Sequence, residues 1–333
     1  MYNIYQSSRR KHIQYEVYAK SYTTIPLFAT EYVATIKEKK IWPLTIRWIQ
    51  ILGIEFPDNP MYVKQEINAL KKLLKKQFWT VFIQLGVINE LTQFDNWTTK
   101  EAWFVDTIRT QRLDLQDRLA NDYGLCPSFR ENMPQSNIIY DVTKTDEQLM
   151  AEMNSGCKER IKKAIKNNLN FRLARPDEYD IFYQKRCDLG GKKWFNPISK
   201  QNYRDLIDSM QKNANGSLFV AEKDGNIIAG SICVYDADRI TYLYGFADRK
   251  YSNIGGHHFL KFKIFGRARE QGIAICDMMG AAPTGFPKHP LAWVSAFKES
   301  LWWTKIEVWG SYDVVLQPLL YWVMKRIYNY KNK

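Results

Sequence analysis

Three β-rich runs, Ser217–Glu222, Asn226–Tyr235 and Arg239–Gly245, follow one another with turns at Asp224-Gly225 and Asp236-Ala237-Asp238. Connections this short, built on aspartate and glycine, join neighbouring strands as hairpins, so the spacing predicts an antiparallel meander. Over His257–Gln271 the residues Leu260, Ile264 and Ala268 share one helical face, and Gly272 is a natural stop. Ile273-Ala274-Ile275-Cys276-Asp277 then reads as another strand. A meander, a helix and a strand in that order require an α+β domain rather than an all-α or all-β one.

Upstream, Ser136–Val142 predicts a strand, and Thr145-Asp146-Glu147-Gln148 offers a capped start to a helix, or a broken pair of helices, running to about Asn167. In the first half, Val63, Ile67, Leu70, Leu73 and Leu74 give Asn59–Lys76 a helical period, with lysines on the other face. Trp79–Leu85 follows as a strand. Gln93–Asn132 has no clean period and contains Asp95, Asn96, Gly124 and Pro127, so loops and the inter-lobe connection are expected there. A chain of 333 residues exceeds the usual single-domain size, so one large or two medium domains are expected, and with two the break places the lobes at 1–130 and 131–333.

The formal charge of +13, from 48 basic and 35 acidic residues, suits a polyanionic partner such as RNA, a phosphorylated metabolite or an anionic membrane surface. Lys158, Lys162 and Lys166 recur every four residues and align on one helical face, opposite Ile161 and Ile165. Such a stripe is either a solvated face or a seat for a phosphate backbone or diphosphate. Cys126, Cys157, Cys187, Cys233 and Cys276 form no C-x-x-C pair, which argues against a disulfide framework. No leader-like N-terminal run and no apolar stretch of spanning length occurs, so a cytoplasmic protein is expected. The four histidines, His12, His257, His258 and His289, have no metal-ligand spacing, and no G-x-S-x-G elbow is present.

From Pro134 onward the chain resembles the FemABX family. Pro134–Val142 is similar to the family's proline-containing entry into a strand ending in aspartate. Lys158–Lys166 resembles its R-x-x-I-R-K-A helix, with Lys158 and Lys162 where arginines are usual. Tyr242-Leu243-Tyr244-Gly245, Cys276-Asp277-Met278-Met279-Gly280 and Ala296–Leu301 resemble the Y-L-Y-G, Y-D-x-x-G and R-F-K-x-x-F elements. Gly310–Asp313 and Pro318–Tyr321 match the usual ending. The likeness covers roughly residues 131–325, with the first 130 residues similar in layout only. No helical-hairpin insertion is present, as in the compact type. Leu301-Trp302-Trp303 stands where F-G-G is usual, and Leu52–Pro57 replaces a proline-glycine-proline turn.

The resemblance implies two acetyltransferase-like (GNAT-like) lobes. It also implies an aminoacyltransferase that moves an amino acid from aminoacyl-tRNA to the side-chain amine of a peptidoglycan precursor stem peptide, whether soluble or lipid-linked. Such transfer needs a neutral amine and an oxyanion stabiliser, and neither a metal nor a redox cofactor is expected. The family's functional lysine falls at Lys298, whose ammonium would offset charge developing at the ester carbonyl, with Phe297 as a wall of that pocket. Asp277 orients the amine, accepts its proton, or is a carboxylate satisfied by backbone N–H groups at that turn. Lys200, Tyr203 and Tyr244 fall where compact members contact the sugar nucleotide, and Lys158, Lys162 and Lys166 are the candidate RNA or phosphate contacts.

Two other readings compete. Lys250–Gly256 opens a helix much as an acetyltransferase phosphate loop does, which fits an acyl-CoA-dependent N-acyltransferase. The charge and the aromatic-basic run Tyr321–Tyr328 fit a non-catalytic RNA- or membrane-surface-binding protein, or a peripheral contact with the inner face of the membrane. Leu320, Val323, Met324 and Ile327 make that run a single stripe, as in a helix docked on a core.

Overall fold

The computed structural model describes residues 22–41, 44–78, 80–95, 102–193, 198–236, 238–301 and 303–331. The chain forms two compact α+β units, one of residues 1–136, 282–290 and 306–333, the other of 137–281 and 291–305.

In the first unit, β1 (Tyr22–Leu27) and β2 (Thr30–Ile41) form a hairpin whose turn residues, Phe28 and Ala29, have φ of 53° and 55°. Strand β3 (Leu44–Ile54) is antiparallel to β2, and β4 (Phe82–Asp95) is parallel to β3, so the intervening α1 (Pro60–Phe78) is a crossover. Asn59 caps α1 through its Oδ1, which accepts the N–H groups of Met61 and Tyr62. Val63, Ile67, Leu70 and Leu74 bury one face of α1 as the period predicts, whereas Leu73 is exposed. Trp79 and Asn96 lie outside the described residues.

The loops predicted over Gln93–Asn132 are a helix instead: α2 spans Ala102–Tyr123 and is followed by the short β5 (Leu125–Pro127). Its buried face is Ile108, Arg112, Leu115 and Leu119, and the arginine in that stripe is what hides the period. Arg112 and Glu307 form a fully buried ion pair; Arg112 also donates to Gln135 and to the Val308 carbonyl, and Thr284 donates twice to Glu307.

The expected partition at residue 130 needs correcting, because the chain returns to the first unit after leaving it. Most of β12 (Thr304–Val315) lies beside β4 there, and α9 (Pro318–Lys331) sets Tyr321 and Met324 against Phe82 and Val81. The outer face of α9 is mixed, with Leu319, Trp322, Lys325 and Arg326 all exposed.

The second unit is a sheet in the order β6-β11-β10-β9-β8-β7. Strand β6 (Ser136–Asp141) leads to α3 (Asp146–Glu152), capped reciprocally by Thr145 and Gln148, and to α4 (Ser155–Lys166), capped by Asn154. After β7 (Asn170–Leu173), helices α5 (Tyr179–Lys193) and α6 (Lys200–Lys212) precede the predicted meander of β8 (Gly216–Lys223), β9 (Asn226–Tyr235) and β10 (Arg239–Ala247). Helix α7 (Gly256–Glu270), β11 (Ile275–Gly280) and α8 (Ala292–Lys298) complete it. Strands β10 and β11 are parallel and pair only from Arg239/Ile275 to Thr241/Asp277, after which both run on unpaired to each other.

Candidate active site

The region where β10 and β11 stop pairing is organised by Asp277. Its carboxylate takes an ion pair from Arg239 at 3.2 Å and the backbone N–H of Met279 at 2.7 Å, and it is 1% exposed. The second bond holds a bulge: Met279 has φ of 59°, and the register against β6 shifts between Asp277 and Gly280. The bulge leaves the carbonyls of Met279 and Gly280 to accept hydrogen bonds from Lys298 Nζ. At the other end, Tyr140 Oη donates to the Lys298 carbonyl, so the lysine is anchored through backbone and side chain alike. Burial lowers its pKa to about 8, with the Asp277 charge opposing the shift. The site therefore holds a buried amine that is still mostly protonated at neutral pH.

Phe297 stacks on His257 at 4.4 Å, meets His258 edge-on at 5.1 Å, and has Lys261 Nζ 3.8 Å from its ring centroid. Tyr242 Oη and His257 Nε2 are 3.1 Å apart. A Cβ at Gly245 would lie 1.6 Å from that hydroxyl, so the glycine of Tyr242-Leu243-Tyr244-Gly245 makes room for Tyr242. Burial, with the Lys261 charge second, pushes His257 well below the usual histidine range. The same burial, with Arg160 second, brings His258 to about 4. Tyr242, His257, His258 and Lys261 were not among the residues expected at the site. The available signal was the four-residue spacing of His257 and Lys261, which puts both on one face of α7.

The other candidates form separate groups. Tyr203 is buried, packs on Tyr244 at 5.4 Å and accepts from Arg186 Nε, and Arg186 also donates to the Gly245 carbonyl. Lys200 is on the surface, paired with Asp180, which also takes Arg204, so it ties α6 to α5. Lys158 donates to the Ala151 carbonyl, while Lys162 and Lys166 are exposed. The opposite face of α4 is Cys157, Ile161 and Ala164; Ile165, expected there, is 51% exposed. Trp302 lies outside the described residues. Among the described residues no cluster of three or more metal-ligating side chains occurs.

Gly255 and Gly256, which open α7, are explained by packing. Gly255 has φ of 83°, and a Cβ there would stand 2.4 Å from the Arg160 carbonyl oxygen of α4. A Cβ on Gly256 would stand 2.9 Å from Ile228.

A family model described as an acetyltransferase (GNAT) domain matches residues 154–286. A lipid II:glycine glycyltransferase of Staphylococcus epidermidis is 28% identical over 166 residues, 49% of this chain and 38% of that protein. The match thus spans well under half the length of that relative. Of solved structures, FemX superposes with a TM-score of 0.68 at 13% identity, covering 97% of this chain and 94% of FemX. The C-terminal domain of a putative lysylphosphatidylglycerol synthetase from Agrobacterium fabrum superposes at 0.52 with 12% identity, covering 91% and 88%. The FemX superposition and the matched acetyltransferase domain show a fold with GNAT-like lobes, and over about half its length the chain is similar to the lipid II:glycine glycyltransferases.

Proposed function

We propose that the protein is an aminoacyltransferase that moves an amino acid from aminoacyl-tRNA to an amine on the stem peptide of a peptidoglycan precursor. The observation that carries this reading is the Lys298 ammonium, buried and seated on the carbonyls of the β11 bulge. An amine attacking an ester produces a tetrahedral oxyanion, and a fixed cation in a dry site stabilises that charge without reorganising at the moment of reaction. The relatives named lipid II:glycine glycyltransferases support the class of acceptor. Asp277 supports Lys298 through the bulge. The acceptor's other contacts are assigned to Phe297 and, further along β10 and α6, to Tyr244, Tyr203 and Lys200, while Lys158, Lys162 and Lys166 meet the RNA.

The rival donor, an acyl-CoA, rests on the loop before α7. Since Gly255 and Gly256 are accounted for by Arg160 and Ile228, that loop lends the CoA reading no independent support. The test is a transfer assay with radiolabelled charged tRNAs and precursor extract. Transfer is expected to need charged tRNA, stop on RNase treatment, fall with added salt and proceed without acetyl-CoA. RNase-resistant transfer together with micromolar CoA binding by calorimetry would replace tRNA by CoA as donor.

A further inference from the structure

Lys261, on α7, is 1% exposed, and its Nζ has no hydrogen-bond partner among the described residues. A buried ammonium carries three N–H donors, and leaving all of them without an acceptor costs far more than leaving a neutral amine. What surrounds it gives it no counter-ion. The Phe297 ring lies 3.8 Å away and the Tyr242 ring 5.5 Å away, and both offer π faces only. The carboxylate that acts on Lys298, Asp277, is committed to Arg239 and the Met279 N–H and is not among the groups acting on Lys261. The ionisable groups that act on Lys261 are Lys298 of α8, Cys276 of β11, Cys157 of α4 and Cys233 of β9. Burial raises all three thiols, so they remain protonated, and the remaining charge is another cation. Burial first and the Lys298 charge second push Lys261 well below the usual lysine range. Lys298 is thus held by two carbonyls, whereas Lys261 beside it has neither an acceptor nor a counter-ion, which disfavours its charged form.

We propose that Lys261 is the base that takes the proton from the acceptor's ammonium, reached when substrate displaces the partly buried Phe297 ring that lies on it. This rests on the acyl transfer proposed above. The acceptor enters as R–NH3+ and passes one proton to Lys261 Nζ. Its nitrogen lone pair then forms the C–N bond at the ester carbonyl, and the oxyanion is met by Lys298. Collapse breaks the C–O bond to the ribose, and Lys261 returns its proton to that leaving oxygen. The second proton on nitrogen departs to water as the amide forms.

The experiment combines Lys261→Met, Lys261→Arg and Lys261→Ala with NMR titration of the wild type labelled at lysine Cε and Nζ, Lys261→Met assigning the signal. Expected are a neutral Nζ at pH 7 and a kcat loss of about 10²-fold or more in both Met and Arg variants with KM for the acceptor unchanged. Rescue of Lys261→Ala by small alkylamines should scale with their basicity. An ammonium signal at pH 7, near-normal kcat in Lys261→Arg, or a defect confined to KM for carboxylate-bearing acceptors would overturn the assignment, the last making Lys261 an anion seat. The titration reads Lys261 without turnover, so a wild type that transfers nothing from charged tRNA counts against the proposed reaction while the NMR signal still decides the lysine.

Discussion

Lys298 behaves differently in the folded and unfolded chain, and the sign of the difference can be measured. Its proton leaves near pH 8 in the fold and near 10.5 in an ordinary lysine, so between those values the unfolded chain binds more protons. Stability contributed by this group therefore rises with pH across that window, and the cost of burying the ammonium is felt in full below it. In the proposed reaction its stabilisation of an oxyanion would run the other way, declining as pH passes 8. Lys298→Ala should lose about 10²-fold or more in kcat and flatten the stability gain between pH 8 and 10.5 in denaturant titrations. Unchanged turnover would take Lys298 out of the chemistry. At this scale the sequence was legible only through motif likeness: Ala296–Leu301 pointed to Lys298, but nothing in its type distinguishes it from a surface lysine. Lys261 gave less still, because it interrupts the apolar face of α7 and burial of a lysine is not visible in a linear pattern.

Elements with a clean period were readable before the fold was known. The meander had its aspartate-glycine hairpin, with Asp224 and Gly225 both at positive φ, and α3 had its reciprocal cap. Helix α2 was not readable, because a buried stripe containing Arg112 looks polar until Glu307, about two hundred residues later, is known to neutralise it. The start of α7 illustrates a different ambiguity, since glycines there suit a phosphate or a crowded helix contact equally. Its geometry favours the contact with α4. Gly255→Ala should destabilise the ligand-free protein by about 1–3 kcal/mol, seen as a lower denaturation midpoint, because the αL conformation and the Arg160 carbonyl both resist a Cβ. Full stability combined with lost CoA affinity would restore the phosphate-loop reading. Gly256→Val, which would meet Ile228 in any case, does not discriminate.

For the whole molecule, the charge of +13 becomes specific only if part of it is spent on a polyanion. Lys162 and Lys166 are exposed on α4, and Lys158 has only a carbonyl partner, so the stripe is available. Lys158→Glu with Lys162→Glu should weaken tRNA binding and make the slope of log affinity against log salt shallower by roughly one to two. An unaltered slope would leave α4 a solvated face. Length left one large or two medium domains open, the resemblance favoured two lobes, and their partition was not legible, because nothing local in β12 or α9 says which core they complete. That return has a consequence for synthesis. The second unit has all its residues once Lys305 is made, whereas the first, begun earlier, still lacks the strand beside β4 and the helix over Phe82. On the ribosome the part translated first is therefore the last able to close its core, and until then β4 is an unpaired apolar edge that a neighbouring nascent chain could occupy.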